Sequence, residues 1–497
     1  MDSNDVDSRS AIVFTAEATT HDEDCACPDG SLVLTFDEDE RVDLENDCAC
    51  PDTSRLSSRM WNPAQSFVRS SNTHIADLPR GFKLVYSPYA PLGPSVLNPP
   101  AWSRWKTFTV PQPLTQSVDR TFAAQRLILP HGDKPTARDS QPETLTCWLH
   151  ITNACNLDCP YCYVRKSSAR MREEIGLRAI ERVFQTAQAH RFSRVKLKYA
   201  GGEPTLHFQL IRRVVEHAQR MSNETGIGLR QVVLSNGTRI KPEDADWFAK
   251  TGVKLMISLD GVGEMHNRLR AFKDGHESFA IIQDTVDRVL LPRQIRPDIT
   301  ITVTRVNAMG VADAVQWALE RDLPVSLNFY RQNILSASRQ ELALEESAII
   351  EGMLAAYAVF ESHLPTRPFF NGLLDRVQAE AHTYTCGVGF SYLVISHDGK
   401  LAQCQMHLDK PANDTLDGSL LNRVASGVIR NFAVDEKVGC RDCAYRYRCT
   451  GSCPLETYHI TGRWDVSSPN CRIYQTLFPV ALRLEGLRLL KQHGYVS

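Results

Sequence analysis

Three cysteines stand close together in Cys155-Asn-Leu-Asp-Cys159-Pro-Tyr161-Cys162, at the spacing C-x3-C-x2-C. Three thiolates on one loop can hold three irons of a 4Fe–4S cluster, leaving the fourth iron open to a bidentate ligand such as paired amino and carboxylate groups. A zinc knuckle is the other use of such a triplet, and it needs a fourth Cys or His close by. A second set follows as Cys386-x12-Gly399-x4-Cys404, then Cys440-x2-Cys443-x5-Cys449-x3-Cys453, then Cys471. A third lies in a repeat, Asp24-Cys25-Ala26-Cys27-Pro28-Asp29 and Asp47-Cys48-Ala49-Cys50-Pro51-Asp52. Cys147 brings the total to 15, an odd number that suits disulfide pairing poorly. Short spacings in a long chain mark metal or iron–sulfur ligands instead.

Composition bounds the setting of this chemistry. A chain of 497 residues calls for two to four domains. Its net charge of −2 points to neither nucleic acid nor a membrane. No apolar stretch has the length of a transmembrane helix, and the acidic N-terminus lacks the layout of a signal peptide, so a cytoplasmic enzyme is expected. Residues 1–60 carry 16 Asp/Glu against 4 Lys/Arg. Such an acidic segment reads as a disordered tail, placed at residues 1–70.

The elements that must position the first cysteine set form a regular alternation. Strand candidates are Thr144–Ile151, Val195–Ala200, Gln231–Leu234, Val253–Leu259, Ile299–Thr304 and Val325–Phe329. Helical patterns separate them, among them Glu173–His190, Gln209–Met221 and Pro242–Thr251. This predicts an α/β fold, a partial (β/α)6 TIM-like barrel over residues 144–335, with its site at the C-terminal strand ends. Residues 336–385 read as bridging helices, and Ile473–Gln492 as an amphipathic helix within a C-terminal helical segment, 476–497. His397-Asp398-Gly399-Lys400 is the turn of a hairpin that brings Cys386 and Cys404 together.

The C-x3-C-x-aromatic-C pattern, with Tyr161 in the aromatic place, resembles the radical S-adenosylmethionine (SAM) superfamily. Gly201-Gly202-Glu203-Pro204 after the second strand, Ser235-Asn236-Gly237 after the third, and Ser258-Leu-Asp260-Gly261 with His266 and Arg270 after the fourth resemble its further marks. The resemblance implies a catalytic 4Fe–4S cluster on Cys155, Cys159 and Cys162, with Tyr161 beside the SAM adenine. It implies Gly201, Gly202 and Glu203 at the SAM amino group, Ser235 and Asn236 at the ribose, and Ser258 and Arg270 at the carboxylate. Reductive cleavage of SAM would then give a 5′-deoxyadenosyl radical.

The later cysteines, residues 386–475, resemble the SPASM domain of radical SAM peptide and protein maturases. Carried over by position, Cys386, Cys404 and Cys453 would ligate auxiliary cluster I, and Cys440, Cys443, Cys449 and Cys471 auxiliary cluster II, making three 4Fe–4S clusters in all. Residues 376–385 hold no cysteine, so cluster I is one ligand short and open to a substrate thiolate. Cys147 is read as a packing residue. Sulfatase-activating relatives carry an Asp after the hairpin's second cysteine where this chain has Gln405, which disfavours formylglycine formation.

Residues 75–133 resemble the RiPP recognition element, a small winged-helix module that binds a ribosomal precursor's leader as an added strand, here through residues 76–132. The implied function is a peptide maturase forming a Cys thioether, supplied with electrons by a flavodoxin- or ferredoxin-type reductant. Peptide dehydrogenation, carbon–carbon cross-linking, sulfatase-type oxidation and a non-catalytic metal-binding scaffold are the alternatives. Each Cys-x3-Asp copy in the tail also resembles a core peptide, against the simpler reading of an acidic tail whose Cys-x-Cys pairs bind metal.

Overall fold

The computed structural model describes residues 11–16, 31–36, 65–133 and 142–496. The cysteine repeats at 24–29 and 47–52, and most of the linker after residue 133, lie outside the described residues.

The N-terminal module is an antiparallel sheet with two helices on one face. Its strands are β1 (Ala11–Ala16), β2 (Ser31–Phe36), β4 (His74–Asp77), β5 (Lys83–Tyr86) and β6 (Ser95–Leu97), while β3 (Phe67–Arg69) pairs separately with β7 (Ile128–Pro130). The sheet order is β2-β1-β6-β5-β4. Alternation sorts the side chains as a period of two requires. Val13, Val85 and Leu97 face the helices Pro99–Lys106 and Ser117–Ala124, joining Trp105 and Phe122. Ile12, Phe14, Leu84, Tyr86 and Val96 join the main core.

Within the segment read as a disordered tail, residues 1–70, the described stretches are not disordered, and residues 1–10, 17–30 and 37–64 lie outside the described residues. Ala11–Ala16, Ser31–Phe36 and Phe67–Arg69 are strands, and the first two widen the module's sheet to five. Acidic residues dominate the average over this segment, but Ile12-Val-Phe-Thr15 is a β-branched and aromatic run that can bury both faces.

The barrel follows as β8 (Thr144–Thr152), β9 (Arg194–Gly201), β10 (Gly228–Ser235), β11 (Lys254–Ser258), β12 (Asp298–Val303) and β13 (Val325–Phe329), six parallel strands in consecutive order. In β12 and β13 buried Ile299, Ile301, Val303, Val325, Leu327 and Phe329 alternate with partly exposed residues, of which Thr300, Thr302 and Asn328 line the large cavity. The predicted hairpin forms from β14 (Tyr392–Ile395) and β15 (Leu401–Ala402), turning at Gly399 with φ +84°. β14 pairs in parallel with β8, so the cysteine-rich region extends the barrel's own sheet.

The last helix spans Cys471–Gln492. A boundary at 475/476 therefore falls inside one continuous helix, whose first residue is a candidate ligand. The helix is amphipathic over its first turns, where Arg472, Gln475 and Thr476 are exposed and Ile473, Tyr474, Leu477 and Phe478 buried, but Leu484 through Leu490 are all buried, Glu485 and Arg488 as an ion pair. It is enclosed by the N-terminal module on one side and the bridging helix Glu346–Ser362 on the other.

Candidate active site

The loop after β8 carries Cys155, Cys159 and Cys162 and is held by backbone. Gly202 N–H donates to Thr152 O at 2.7 Å, Glu203 N–H to Ala154 O at 2.7 Å, and Asp158 N–H to Ala271 O at 2.9 Å. Gly201 and Gly202 permit this crossing. A Cβ on Gly202 would sit 2.3 Å from Ala154 O, and one on Gly201 2.5 Å from Thr152 O. The glycines thus bring β9 against the cysteine loop.

Glu203 is fully buried and already well supplied with donors. Its Oε1 accepts from Thr205 N–H at 3.0 Å, Thr205 Oγ1–H at 2.5 Å and Ser235 Oγ–H at 2.9 Å; its Oε2 accepts from Asn236 N–H at 2.6 Å. The carboxylate clamps the ends of β9 and β10 together. Asn236 in turn donates from Nδ2 to Asn156 Oδ1 at 2.9 Å and lies 3.9 Å from Cys155 Sγ.

Asp260 is the residue that motif reading left without a role. Fully buried, it accepts from Tyr161 Oη–H, from Arg270 Nε–H at 2.6 Å and from Thr302 N–H at 2.7 Å. Arg270 lies over the Tyr161 ring, 5.5 Å from its centre. One carboxylate therefore fixes both the expected adenine neighbour and the expected carboxylate ligand. Its position in Ser258-Leu-Asp260-Gly261 was the available signal.

All eight candidate SAM contacts line a single cavity of about 350 Å³ together with Cys155, Cys159 and Cys162. The same cavity is lined by Cys386, Cys404 and Cys453. Cys440, Cys443, Cys449 and Cys471 meet around a second, smaller one. Cys147 lines neither and packs in the core between Leu145 and Leu149, its thiol pushed up by burial. Arg331, Arg376, Tyr392, Lys166 and Lys198 also face the large cavity and had no motif to announce them. Gln405 accepts from Tyr392 Oη–H at 2.8 Å, beside Cys404.

These thiols suit an iron–sulfur cluster better than a single ion. Each set gathers three or four thiols around one cavity, and thiolates are the donors that iron–sulfur clusters take. Burial pushes Cys159, Cys404 and Cys449 up to about 12 and Cys440 to about 11, so each would hold its proton until a metal displaced it.

Residues 149–290 match the radical SAM superfamily. The chain is 30% identical over 279 residues to the sporulation killing factor maturation protein of Bacillus subtilis, covering 56% of this chain and 63% of that protein. It is 22% identical over 328 residues to a cysteine-type anaerobic sulfatase-maturating enzyme of Clostridium perfringens, covering 61% of this chain and 86% of that one. Among solved structures, native anSMEcpe with bound AdoMet and Cp18Cys peptide superposes with a TM-score of 0.57 at 22% identity, over 69% of this chain and 99% of that one. That likeness is one of fold.

Proposed function

This chain carries a radical SAM domain and is an enzyme whose cofactors are a 4Fe–4S cluster and SAM, and from that premise we propose that it matures a ribosomal peptide by closing a cysteine thioether. The observation that carries the proposal is the shared cavity: Cys386, Cys404 and Cys453 face the same space as Cys155, Cys159 and Cys162. A cluster and SAM bound there would supply hydrogen-atom abstraction at a peptide carbon.

The chain's own residues set the conditions. Cys155, Cys159 and Cys162 hold the first cluster. Arg270, anchored by Asp260, and Ser258 orient the SAM carboxylate. Cys386, Cys404 and Cys453 offer three ligands to auxiliary cluster I, and the other cysteines that line this cavity are Cys155, Cys159 and Cys162 of the first set. A substrate thiolate completes that set. Lys198 and Arg376 also line the cavity, and Lys166, Arg270 and Arg331 there are each paired with a carboxylate, Asp158, Asp260 and Asp375. Gln405, an amide beside Cys404, offers no carboxylate base there and weighs against sulfatase-type oxidation.

Anaerobic reconstitution with SAM and dithionite should release 5′-deoxyadenosine and leave a cysteine peptide two hydrogens lighter, with one thiol no longer alkylatable. A product lighter by two hydrogens that keeps every thiol would replace the thioether reading with dehydrogenation or carbon–carbon cross-linking.

A further inference from the structure

β1 reaches the module from far along the chain and seats as a foreign strand would. It pairs antiparallel with β6 through Val13↔Leu97, Phe14↔Val96 and Thr15↔Ser95, and without it β6 would be an open edge. Asn98 reads its backbone twice: Oδ1 accepts from Ile12 N–H at 2.9 Å, and N–H donates to Ile12 O at 3.2 Å. Its side chains enter two receptors. Val13 enters the apolar set around Leu97 and Trp105. Phe14 stacks on His493 at 4.7 Å and meets Tyr495 and Phe82 at 5.5 and 5.9 Å. Backbone pairing for affinity and alternate side-chain pockets for selection is the physics of peptide recognition by strand addition.

The sequence of this strand occurs twice. Ala11-Ile-Val-Phe-Thr-Ala16 is matched by Ser31-Leu-Val-Leu-Thr-Phe36, with Val and Thr identical and apolar residues at the positions of Ile12 and Phe14. Each copy leads through acidic residues to Asp-Cys-Ala-Cys-Pro-Asp. A strand needed only to finish a sheet would not bring its cysteine motif along in duplicate. Residues 17–52 hold 13 Asp/Glu against Arg41 alone.

We propose that the edge of β6 is a docking slot for the chain's own substrate: residues 11–29 and 31–52 are two tandem units, each a docking strand followed by a core to be modified, with Ala11–Ala16 seated and Ser31–Phe36 able to take its place. The proposal rests on the peptide-maturing reading above. Each closure breaks one S–H and one C–H bond and forms one S–C bond. One hydrogen leaves in 5′-deoxyadenosine and the other as a proton. The starting electron, from dithionite, is returned, so SAM is the net two-electron oxidant.

Two measurements on the full chain test it. First, after anaerobic turnover, mass spectrometry of the peptides around Cys25 and Cys48 should show each unit two hydrogens lighter and short of one alkylatable thiol. If 5′-deoxyadenosine forms and an added cysteine peptide is modified while both units stay intact, the inference falls and the function stands. If no 5′-deoxyadenosine forms, the function falls, and with it the substrate role. Second, independent of turnover, a protease site placed between residues 53 and 64 is cut. The released segment should stay bound and be displaced by synthetic peptides of residues 7–18 and of residues 27–38, but not by the first peptide carrying Val13→Asp and Phe14→Asp. Failure of the 27–38 peptide to displace it overturns the shared slot.

Discussion

His266 sits behind the SAM-facing wall with both ring nitrogens committed. Its Nδ1 accepts from Asp260 N–H at 3.2 Å, and its Nε2–H faces Ser278 Oγ at 3.1 Å, whose own proton goes to Arg270 O at 2.6 Å. Burial, then the Arg270 charge, push it down to about 3, with Asp260 pulling weakly the other way. Between the ordinary 6.5 and about 3 the unfolded chain binds a proton here that the folded chain refuses, so stability falls as pH falls through that window. From pH 7 to pH 5 the loss from this residue is about 2 kcal/mol. His266→Asn keeps an acceptor for Asp260 N–H and should remove that part of the slope in denaturant unfolding followed at both pH values. His150, pushed down to about 4 by burial, adds to the same trend in both proteins and cancels in the comparison. An unchanged slope in the variant would mean that His266 takes up a proton in the folded state.

At the scale of elements, the crossing of β8 and β9 decides whether the cysteine loop is built. Gly202→Ala places a methyl group 2.3 Å from Ala154 O, backbone that cannot swing aside, so the loop carrying Cys155 must shift. The expected result is loss of iron from the first cluster, seen as reduced iron per chain and loss of its paramagnetic signal, with the later cysteines still loaded. Gly93→Ala, which meets nothing within 4 Å, should leave iron content unchanged. The same crossing shows what sequence could convey. The six parallel strands were legible because each carries buried β-branched or other apolar residues between helical patterns, and the cysteine spacings because ligand chemistry fixes them locally. What Glu203 and Ser235 do was not legible, since a motif names residues and not the donors they meet: their mutual bond, 32 positions apart, exists only once β9 and β10 are parallel neighbours. The pairing of β14 with β8 is longer in range still, and β1 was hidden because an acidic average over 60 residues outweighs six apolar ones.

Across the whole molecule, one helix connects the second cysteine site to the N-terminal module. Cys471 opens it, Tyr445 from the cysteine loop stacks on its Phe478 at 4.3 Å, and Gly486 lies fifteen positions on, roughly 22 Å along the axis. There a Cβ would meet Leu84 Cδ1 at 2.8 Å and Leu78 Cδ1 at 3.1 Å, the underside of the sheet that seats β1. The module also grips the cysteine loop directly, through the buried Arg448, which donates to Ala90 O at 2.5 Å. Among the described residues no helix is long and apolar enough to cross a membrane. Gly486→Val should therefore overpack this contact by about 1–3 kcal/mol and lift the module without touching the barrel. Docking of a leader strand would weaken and peptide modification would fall, while peptide-free release of 5′-deoxyadenosine continues, because the atoms nearest a Cβ at Gly486 belong to Leu84 and Leu78 of the N-terminal module. Equal loss of both activities would mean that the helix transmits the disturbance as far as the first cluster, and the module and barrel would then have to be treated as one cooperative body rather than as a docking unit set on a catalytic one.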